Sequence, residues 1–180
     1  MIALLMRTWA VATCLLVFSA AALPRRPHPV AARIVDVRGA PPEQDRYGNR
    51  VGNVEVTLSN SHKEVWTHSG RCELPKVSKS GLVGWTYAAG RHSRGAWMNA
   101  ELCIARTRRD IARFTVDRAF IERWDFSDND TCVVTVSRNI HGPSWIEKLR
   151  IDNGEVVDSC SGSNDTDKTP EWARPYLDDD

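Results

Sequence analysis

Short runs in which apolar and polar residues alternate recur along the chain, and each run predicts a β-strand with one buried face. In one run Val54, Val56 and Leu58 alternate with Glu55 and Thr57. Turn-forming residues separate the runs at roughly ten-residue spacing, which gives about eight or nine short strands. The pattern predicts an all-β fold, an antiparallel β-sandwich in one domain.

Residues 132–160 carry the clearest local pattern. Three alternating runs, 132–137, 145–151 and 156–160, predict an antiparallel three-stranded meander. Asn153 and Gly154 lie between the last two runs, and both residues tolerate positive φ. They therefore predict a two-residue type I′ hairpin turn.

Residues 107–124 fit two structures. Thr107 and Asp110 are spaced as a helix cap, so one short helix at 107–124 is possible on the sequence. Alternation around Phe114 and Ile121 instead fits two strands joined by a short turn, and good helix formers are not concentrated there. Two strands are the preferred interpretation. Further strands are predicted at residues 34–37, 54–58, 64–68, 82–87 and 98–104.

The chain begins with the features of a signal peptide, assigned to residues 1–22. Arg7 precedes an apolar run that ends in small residues, and the run is too short to span a bilayer. We therefore expect a secreted, extracellular protein. Residues 23–32 are expected to be flexible or processed after Arg25 and Arg26, residues 33–162 to form the domain, and residues 163–180 to be a disordered acidic tail.

Cysteine usage predicts a disulfide-braced domain. Cys14 leaves with the signal peptide, and an even number in an oxidising compartment predicts two disulfides. The cysteines concerned are Cys72, Cys103, Cys132 and Cys160. In a plain meander Cys132 and Cys160 lie roughly 17–20 Å apart, so their pairing is disfavoured and each is expected to bond to Cys72 or Cys103. No CxxC pair is present, so neither a metal site nor a cofactor is predicted.

Arginine-rich segments are the candidate binding residues. Guanidinium groups in a loop between glycines present planar donors to phosphate, sulfate or carboxylate groups. The predicted binding residues are Arg91, His92, Arg94, Arg106, Arg108 and Arg109, with Arg113 nearby. The alternative for this loop is an ordinary solvated hairpin tip. With 24 basic and 23 acidic residues in the chain, the charge does not suggest a dedicated nucleic-acid binder.

Histidines supply a competing interpretation, a small secreted hydrolase such as a ribonuclease. His68 and His141, with Glu101 or Glu122 and an arginine, could provide a base, an acid and a cation for a phosphorane. His62 is a further candidate. No serine-hydrolase elbow, phosphate loop or dinucleotide fingerprint accompanies them.

Two further features involve surface loops. Asn129 and Asn164 begin N-glycosylation sequons. Asp125, Asp128 and Asp130 form an oxygen-rich stretch without EF-hand spacing, and a turn is the preferred explanation.

Two segments resemble PLAT domains. The segment from Gly52 to Leu58 is similar to that family's glycine-led alternating strand. The segment from His141 to Cys160 is similar to its tryptophan-led strand and the hairpin that ends near a cysteine. The resemblance implies a β-sandwich that binds lipid surfaces, proteins or calcium and is not itself catalytic.

The sequence favours a secreted, non-catalytic binding or interaction protein, of the kind fungi export as effectors or virulence proteins. The expected partner is a host or extracellular protein, a glycan or an anionic surface, and not a specific nucleic acid. A monomer without a transmembrane segment is expected.

Overall fold

The computed structural model describes residues 26–37, 43–44, 50–91, 97–116, 120–139, 142–162 and 168–177. The predicted signal peptide, His92, Arg94, His141 and Asn164 lie outside these residues. Within them the fold is all-β and every strand pairing is antiparallel, as predicted. The strands are β1 (Pro29–Val35), β2 (Glu43–Gln44), β3 (Arg50–Val51), β4 (Asn53–Leu58), β5 (Lys63–Val65), β6 (Cys72–Val77), β7 (Val83–Arg91), β8 (Trp97–Thr107), β9 (Asp110–Thr115), β10 (Phe120–Ser127), β11 (Cys132–Arg138), β12 (Ser144–Arg150) and β13 (Val156–Ser161).

Three sheets make up most of the fold. The N-terminal sheet has the order β1-β4-β5, the middle sheet β6-β7-β8-β9 and the C-terminal sheet β10-β11-β12-β13, while β2 and β3 form a separate short pair. Neighbouring strands in the middle and C-terminal sheets are consecutive in sequence. Both sheets are therefore simple meanders, which short turns can connect.

Both faces of the middle sheet are buried. In β8, Leu102 and Ile104 join a core cluster with Trp124 of β10 and Val133 of β11. The alternate residues Cys103 and Ala105 join a second cluster with Val54 and Val56 of β4. The period-two alternation of β8 thus places apolar side chains against both the N-terminal and the C-terminal sheets.

The ambiguous region around residue 115 forms two strands. Strand β9 pairs with β8, and β10 pairs with β11, so the predicted two-strand interpretation is confirmed. The structure contains no helix in the described part of residues 107–124. Strand β6 was not predicted, because Pro75 interrupts its pattern, and its register with β7 shifts between Glu73 and Lys76.

The predicted meander at residues 132–160 is confirmed as β11-β12-β13, but its last turn is wrong in detail. Gly154 has a φ of +75°, whereas Asn153 does not have a positive φ, so a type I′ turn is absent. A four-residue loop replaces it, closed by the bonds Gly154 N–H to Arg150 O (2.9 Å) and Arg150 N–H to Glu155 O (2.9 Å). The Asn153 side chain accepts the Glu155 amide at 2.9 Å, which favours the longer loop.

The prediction of two disulfides is wrong, because Cys72, Cys103, Cys132 and Cys160 are all free. Cys72 lies on β6 and Cys103 on β8, with β7 between them. Two strand spacings separate their backbones by about 9.5 Å, beyond the ~7 Å that a disulfide can span. The expectation that Cys132 and Cys160 do not pair is confirmed: Cys160 lies opposite Ile146, whose partner on β11 is Val136.

Both predicted ends of the domain need correction. Residues 29–32, assigned to a flexible segment, belong to β1 and pair with β4. Part of the predicted disordered tail forms a 3-10 helix (Glu171–Tyr176) in which Ala173 is fully buried. The helix packs on Val134, Val136 and Ile146 of the C-terminal sheet, because apolar residues at 172, 173, 176 and 177 can cover that face. Among the described residues, no helix is long and apolar enough to cross a membrane.

Candidate functional site

A tight turn presents three arginines at the end of the middle sheet. Thr107 pairs with Asp110, so Arg108 and Arg109 form the turn between β8 and β9. The Thr107 hydroxyl accepts the amides of Arg109 (3.3 Å) and Asp110 (3.2 Å), which holds the turn without a glycine. The side chains of Arg106, Arg108 and Arg109 are exposed. We call residues 106–109 the arginine hairpin.

The arginine hairpin carries positive charge that no residue described in the structure neutralises by an ion pair. Within the described residues, Arg106 and Arg109 form no ion pair. Arg108 contacts the Nε2 atom of His68 at 3.0 Å. A guanidinium nitrogen can only donate, so Nε2 accepts and the imidazole adds no negative charge. Three guanidinium groups therefore remain available to an external anion.

A cleft of about 350 Å³ lies beside the arginine hairpin, between residues 66–71 and the middle sheet. We call it the loop cleft. The loop is held in place by Asn53, whose side-chain oxygen accepts the Gly70 amide at 2.9 Å, and by Thr67, whose hydroxyl accepts the Val54 amide at 2.8 Å. The lining residues are Trp66, Thr67, His68, Ser69, Cys72, Trp85, Tyr87, Ile111 and Arg113.

Arg113, which lines the loop cleft, contacts a carboxylate and a thiol next to the cleft. Arg113 donates to Glu101 at 3.0 Å and to the Cys103 sulfur at 3.7 Å. Burial raises the pKa of Cys103 to about 12 and also raises the pKa of Cys72. Both thiols are therefore protonated at neutral pH and are poor nucleophiles.

Only part of the predicted hydrolase set is found together. His68 and Arg113 line the loop cleft, and Glu101 is bound to Arg113. Glu122 is elsewhere, on β10, and forms an ion pair with Arg138 at 3.0 Å. His62 is near the turn between β4 and β5, 3.9 Å from Glu64. His141 lies outside the described residues.

A second cleft, of about 520 Å³, lies on the other side of the arginine hairpin. We call it the rim cleft, because it lies where the middle and C-terminal sheets meet at their edges. Arg106 enters it from the middle sheet, and Arg150 enters it from β12. Its lining residues are Arg106, Asp130, Thr131, Cys132, Arg150, Ile151, Asp152 and Val157.

The carboxylates of the rim cleft have partners within the protein. Asp152 accepts two bonds from Arg150, at 2.9 and 2.5 Å, and these lower the pKa of Asp152. Asp130 accepts the backbone amide of Ser80 at 2.7 Å. Arg106 is thus the arginine of this cleft that forms no ion pair among the described residues, and the carboxylate of Asp130 likewise forms none.

Arg91 and the arginine hairpin lie at opposite ends of β8. Strand β7 ends at Arg91, which pairs with Trp97 at the start of β8, and the arginine hairpin follows the other end of β8. The 11 residues of β8 separate the two ends by roughly 30 Å. Arg106, Arg108 and Arg109 are brought together, whereas the binding prediction for His92 and Arg94 concerns residues that are not described.

The aspartate-rich stretch forms the expected turn. Asp128, Asn129 and Asp130 have φ values of 51°, 55° and 66°, which Asn and Asp tolerate best among residues other than glycine. Lys76 binds Asp125 at 2.9 Å and Lys148 binds Asp128 at 2.7 Å. In the part of the chain that is described, no group of side chains is arranged to hold a metal ion.

The sequence analysis did not identify Arg150 as a candidate site residue. It also did not identify residues 66–71, the loop that forms one wall of the loop cleft. The sequence pattern did not single out Arg150, because a charged residue at the end of a strand is common. Only the packing of the sheets brings Arg150 near Arg106.

No protein-family model matches the chain, and no curated protein matches it with significant similarity.

Proposed function

We propose that this chain is a secreted, non-catalytic interaction protein of the effector or virulence type, and that it binds an anionic ligand through the arginine hairpin. The ligand is an anionic group on an extracellular or host partner. Arg106, Arg108 and Arg109 supply the charge and the planar donors. The prediction that Arg91, His92 and Arg94 bind the ligand is retained as a separate part of the proposal.

The observation that carries this proposal is the lack of compensation at the hairpin. Elsewhere on this protein, Arg33 is bound to Glu55 and Arg50 to Asp36. Arg106 and Arg109 have no such partner among the described residues, and Arg108 contacts a neutral imidazole nitrogen. An exposed turn with three uncompensated guanidinium groups favours a negatively charged partner.

Export rests on the sequence of residues 1–22, and glycans at Asn129 and Asn164 are part of the same proposal.

A β-sandwich architecture of the PLAT type is also proposed. Face-to-face packing of the middle and C-terminal sheets through Leu102, Trp124 and Val133 supports it. The monomeric state is proposed together with these features.

A hydrolase, such as a ribonuclease, is the second candidate function. It is favoured by one observation: His68 and Arg113 line the loop cleft, Arg108 contacts His68 at 3.0 Å, and Glu101 is bound to Arg113. In that function Glu101 would act as base, His68 or His141 as acid, and the arginines would stabilise the phosphorane. The 3.0 Å contact with Arg113 occupies the Glu101 carboxylate that this function needs free, so we rank it second.

Ion-exchange and cleavage assays separate the two functions. The triple variant Arg106→Ala/Arg108→Ala/Arg109→Ala should elute from a sulfated matrix at lower salt than the wild type. Arg33→Ala, which removes an exposed arginine on β1, should elute close to the wild type apart from the loss of one charge. Equal elution of the triple variant and the wild type would refute the binding site. RNA cleavage that is lost in both His68→Ala and Glu101→Gln would establish the hydrolase instead.

A further inference from the structure

The arginine hairpin stands between two clefts, and its arginines reach opposite sides. Arg106 lines the rim cleft beside Thr131 and Arg150 of the C-terminal sheet region. Arg108 reaches the other way, to His68 in the loop that follows the N-terminal sheet. The hairpin is therefore a ridge with one cationic group directed to each side.

Each cleft offers hydrogen-bonding groups beside its arginine. Thr131 lines the rim cleft, and Thr67, Ser69 and Tyr87 line the loop cleft. The Thr131 hydroxyl donates to the Asp128 carbonyl at 2.8 Å and keeps an acceptor site for a ligand hydroxyl. The clefts of about 520 and 350 Å³ are each large enough for a small polar unit of a ligand. A ligand with both acidic groups and hydroxyl groups would satisfy both clefts.

One small anion cannot contact both arginines. Arg106 and Arg108 are two residues apart, so their Cα atoms are separated by roughly 7 Å, and their side chains then diverge. Two acidic groups on one chain could engage both at once. The second contact would then form at a high effective concentration, which raises affinity without new kinds of contact.

The aromatic residues argue against single-stranded nucleic acid as that chain. Proteins that bind single strands stack the bases on exposed aromatic side chains. In the loop cleft Trp66 is only 6% exposed and Trp85 only 2%. The exposed large apolar residues in the described part of the chain are aliphatic: Val30, Val37, Leu74, Val156 and Val157. The remaining contacts that the two clefts can make are with charged groups and hydroxyl groups, and these are the contacts that an anionic polysaccharide requires.

We propose that the ligand is a linear anionic glycan that crosses the arginine hairpin, with one acidic sugar in the rim cleft and another in the loop cleft. The proposal rests on the proposed binding function and names its ligand class. Arg106 holds the sulfate or carboxylate on one side and Arg108 the one on the other. Arg109, at the tip, adds charge to both.

The test compares short and long ligands of the same chemistry. Titration calorimetry of the full mature protein would use a heparin disaccharide and a long heparin chain, and in parallel digalacturonate and polygalacturonate. The long chain should bind at least about a hundredfold more tightly than its disaccharide. Arg106→Ala and Arg108→Ala should each abolish that gain, while Arg33→Ala should retain it.

The two ligand series distinguish the acidic group: a length gain with heparin identifies sulfate, and one with polygalacturonate identifies carboxylate. Equal affinity for short and long chains, or a gain that survives in either single variant, would overturn the crossing proposal while leaving the hairpin as an anion site. A larger length gain with poly(U) than with both glycans would also overturn it. Failure of the proposed function has a different result, in which the triple variant and the wild type bind every ligand alike. Circular dichroism of each variant confirms that it is folded.

Discussion

Gly84 in β7 lies where the core has no room for a side chain. A Cβ atom there would lie 2.3 Å from Trp124 Cη2 and 2.7 Å from Ile104 Cδ1, and both of these side chains are buried. A glycine is therefore required for the close approach of the middle and C-terminal sheets.

We expect Gly84→Ala to destabilise the protein by about 1–3 kcal/mol, because the added methyl group overpacks the core. Gly90→Ala on the same strand is the matched control, since its Cβ would have its nearest neighbour, Met98 Cε, at 4.0 Å. Urea unfolding of the two variants measures the difference. Equal stability of both variants would contradict the close packing at Trp124.

Asp128 links stability to pH. The hydrogen bond from Lys148 holds the pKa of this carboxyl below its ordinary value of 3.8, although burial opposes the shift. A depressed pKa stabilises the folded state above the unfolded pKa, and this stabilisation is lost as the pH falls through the folded pKa.

Asp128→Asn should therefore be less stable than the wild type at neutral pH, and the gap should close below about pH 4. Asparagine is suited to this position because it tolerates the φ of 51°. Chemical unfolding at a series of pH values checks the prediction. A gap of constant size across the acid range would show that the Lys148 contact does not set the titration.

At the scale of elements, the C-terminal 3-10 helix lies in a segment that the sequence pattern had predicted to be a disordered tail. Trp172 donates to Asp158 at 2.7 Å, and the Lys148 ammonium lies 5.5 Å from the centre of its ring. Arg123 donates to the Tyr176 carbonyl. These contacts tie the helix to β10, β12 and β13, so a segment rich in polar residues is nevertheless part of the fold.

Trp172→Ala should cost roughly 1–3 kcal/mol, because a half-buried indole and its hydrogen bond are removed. Glu171→Ala, an exposed neighbour on the same helix, should change stability by no more than about 0.5 kcal/mol. Thermal or urea unfolding compares the pair. If both substitutions were neutral, the helix would not contribute to the stability of the C-terminal sheet.

At the scale of the whole molecule, the three sheets determine which charged residues meet. Arg150 on β12 and Arg106 on β8 share the rim cleft although 44 residues separate them in sequence (150 − 106 = 44). The proposed export adds one more feature to this surface. Asn129 is exposed at the tip of the turn between β10 and β11, where a glycan would meet open solvent.

Secretion from a eukaryotic host should yield a heavier protein that Asn129→Gln makes lighter by one glycan. Thr131→Ala should give the same loss, because it removes the hydroxyl that the sequon requires. Mass spectrometry before and after enzymatic deglycosylation provides the measurement. An unmodified Asn129 in secreted material would remove this part of the proposal.

The sequence alone determined most of the longer strands, their alternating faces and the β11-β12-β13 meander, because these depend on local periodicity and on turn residues. It did not predict β6, whose pattern Pro75 interrupts. In that meander, the last turn is longer than the type I′ turn that Asn153 and Gly154 predicted. The Asn153 side chain and the Arg150–Asp152 pair stabilise the longer turn.

The tertiary structure decided which faces met, and this was not encoded within any short window. It separated Cys72 from Cys103 by an intervening strand, packed the C-terminal helix on β11 and β12, and placed Arg91 and the arginine hairpin at opposite ends of β8. The physical reason is that apolar burial is non-directional. Period-two alternation shows which side chains of a strand are buried, but only the packing of whole sheets determines which residues those side chains contact.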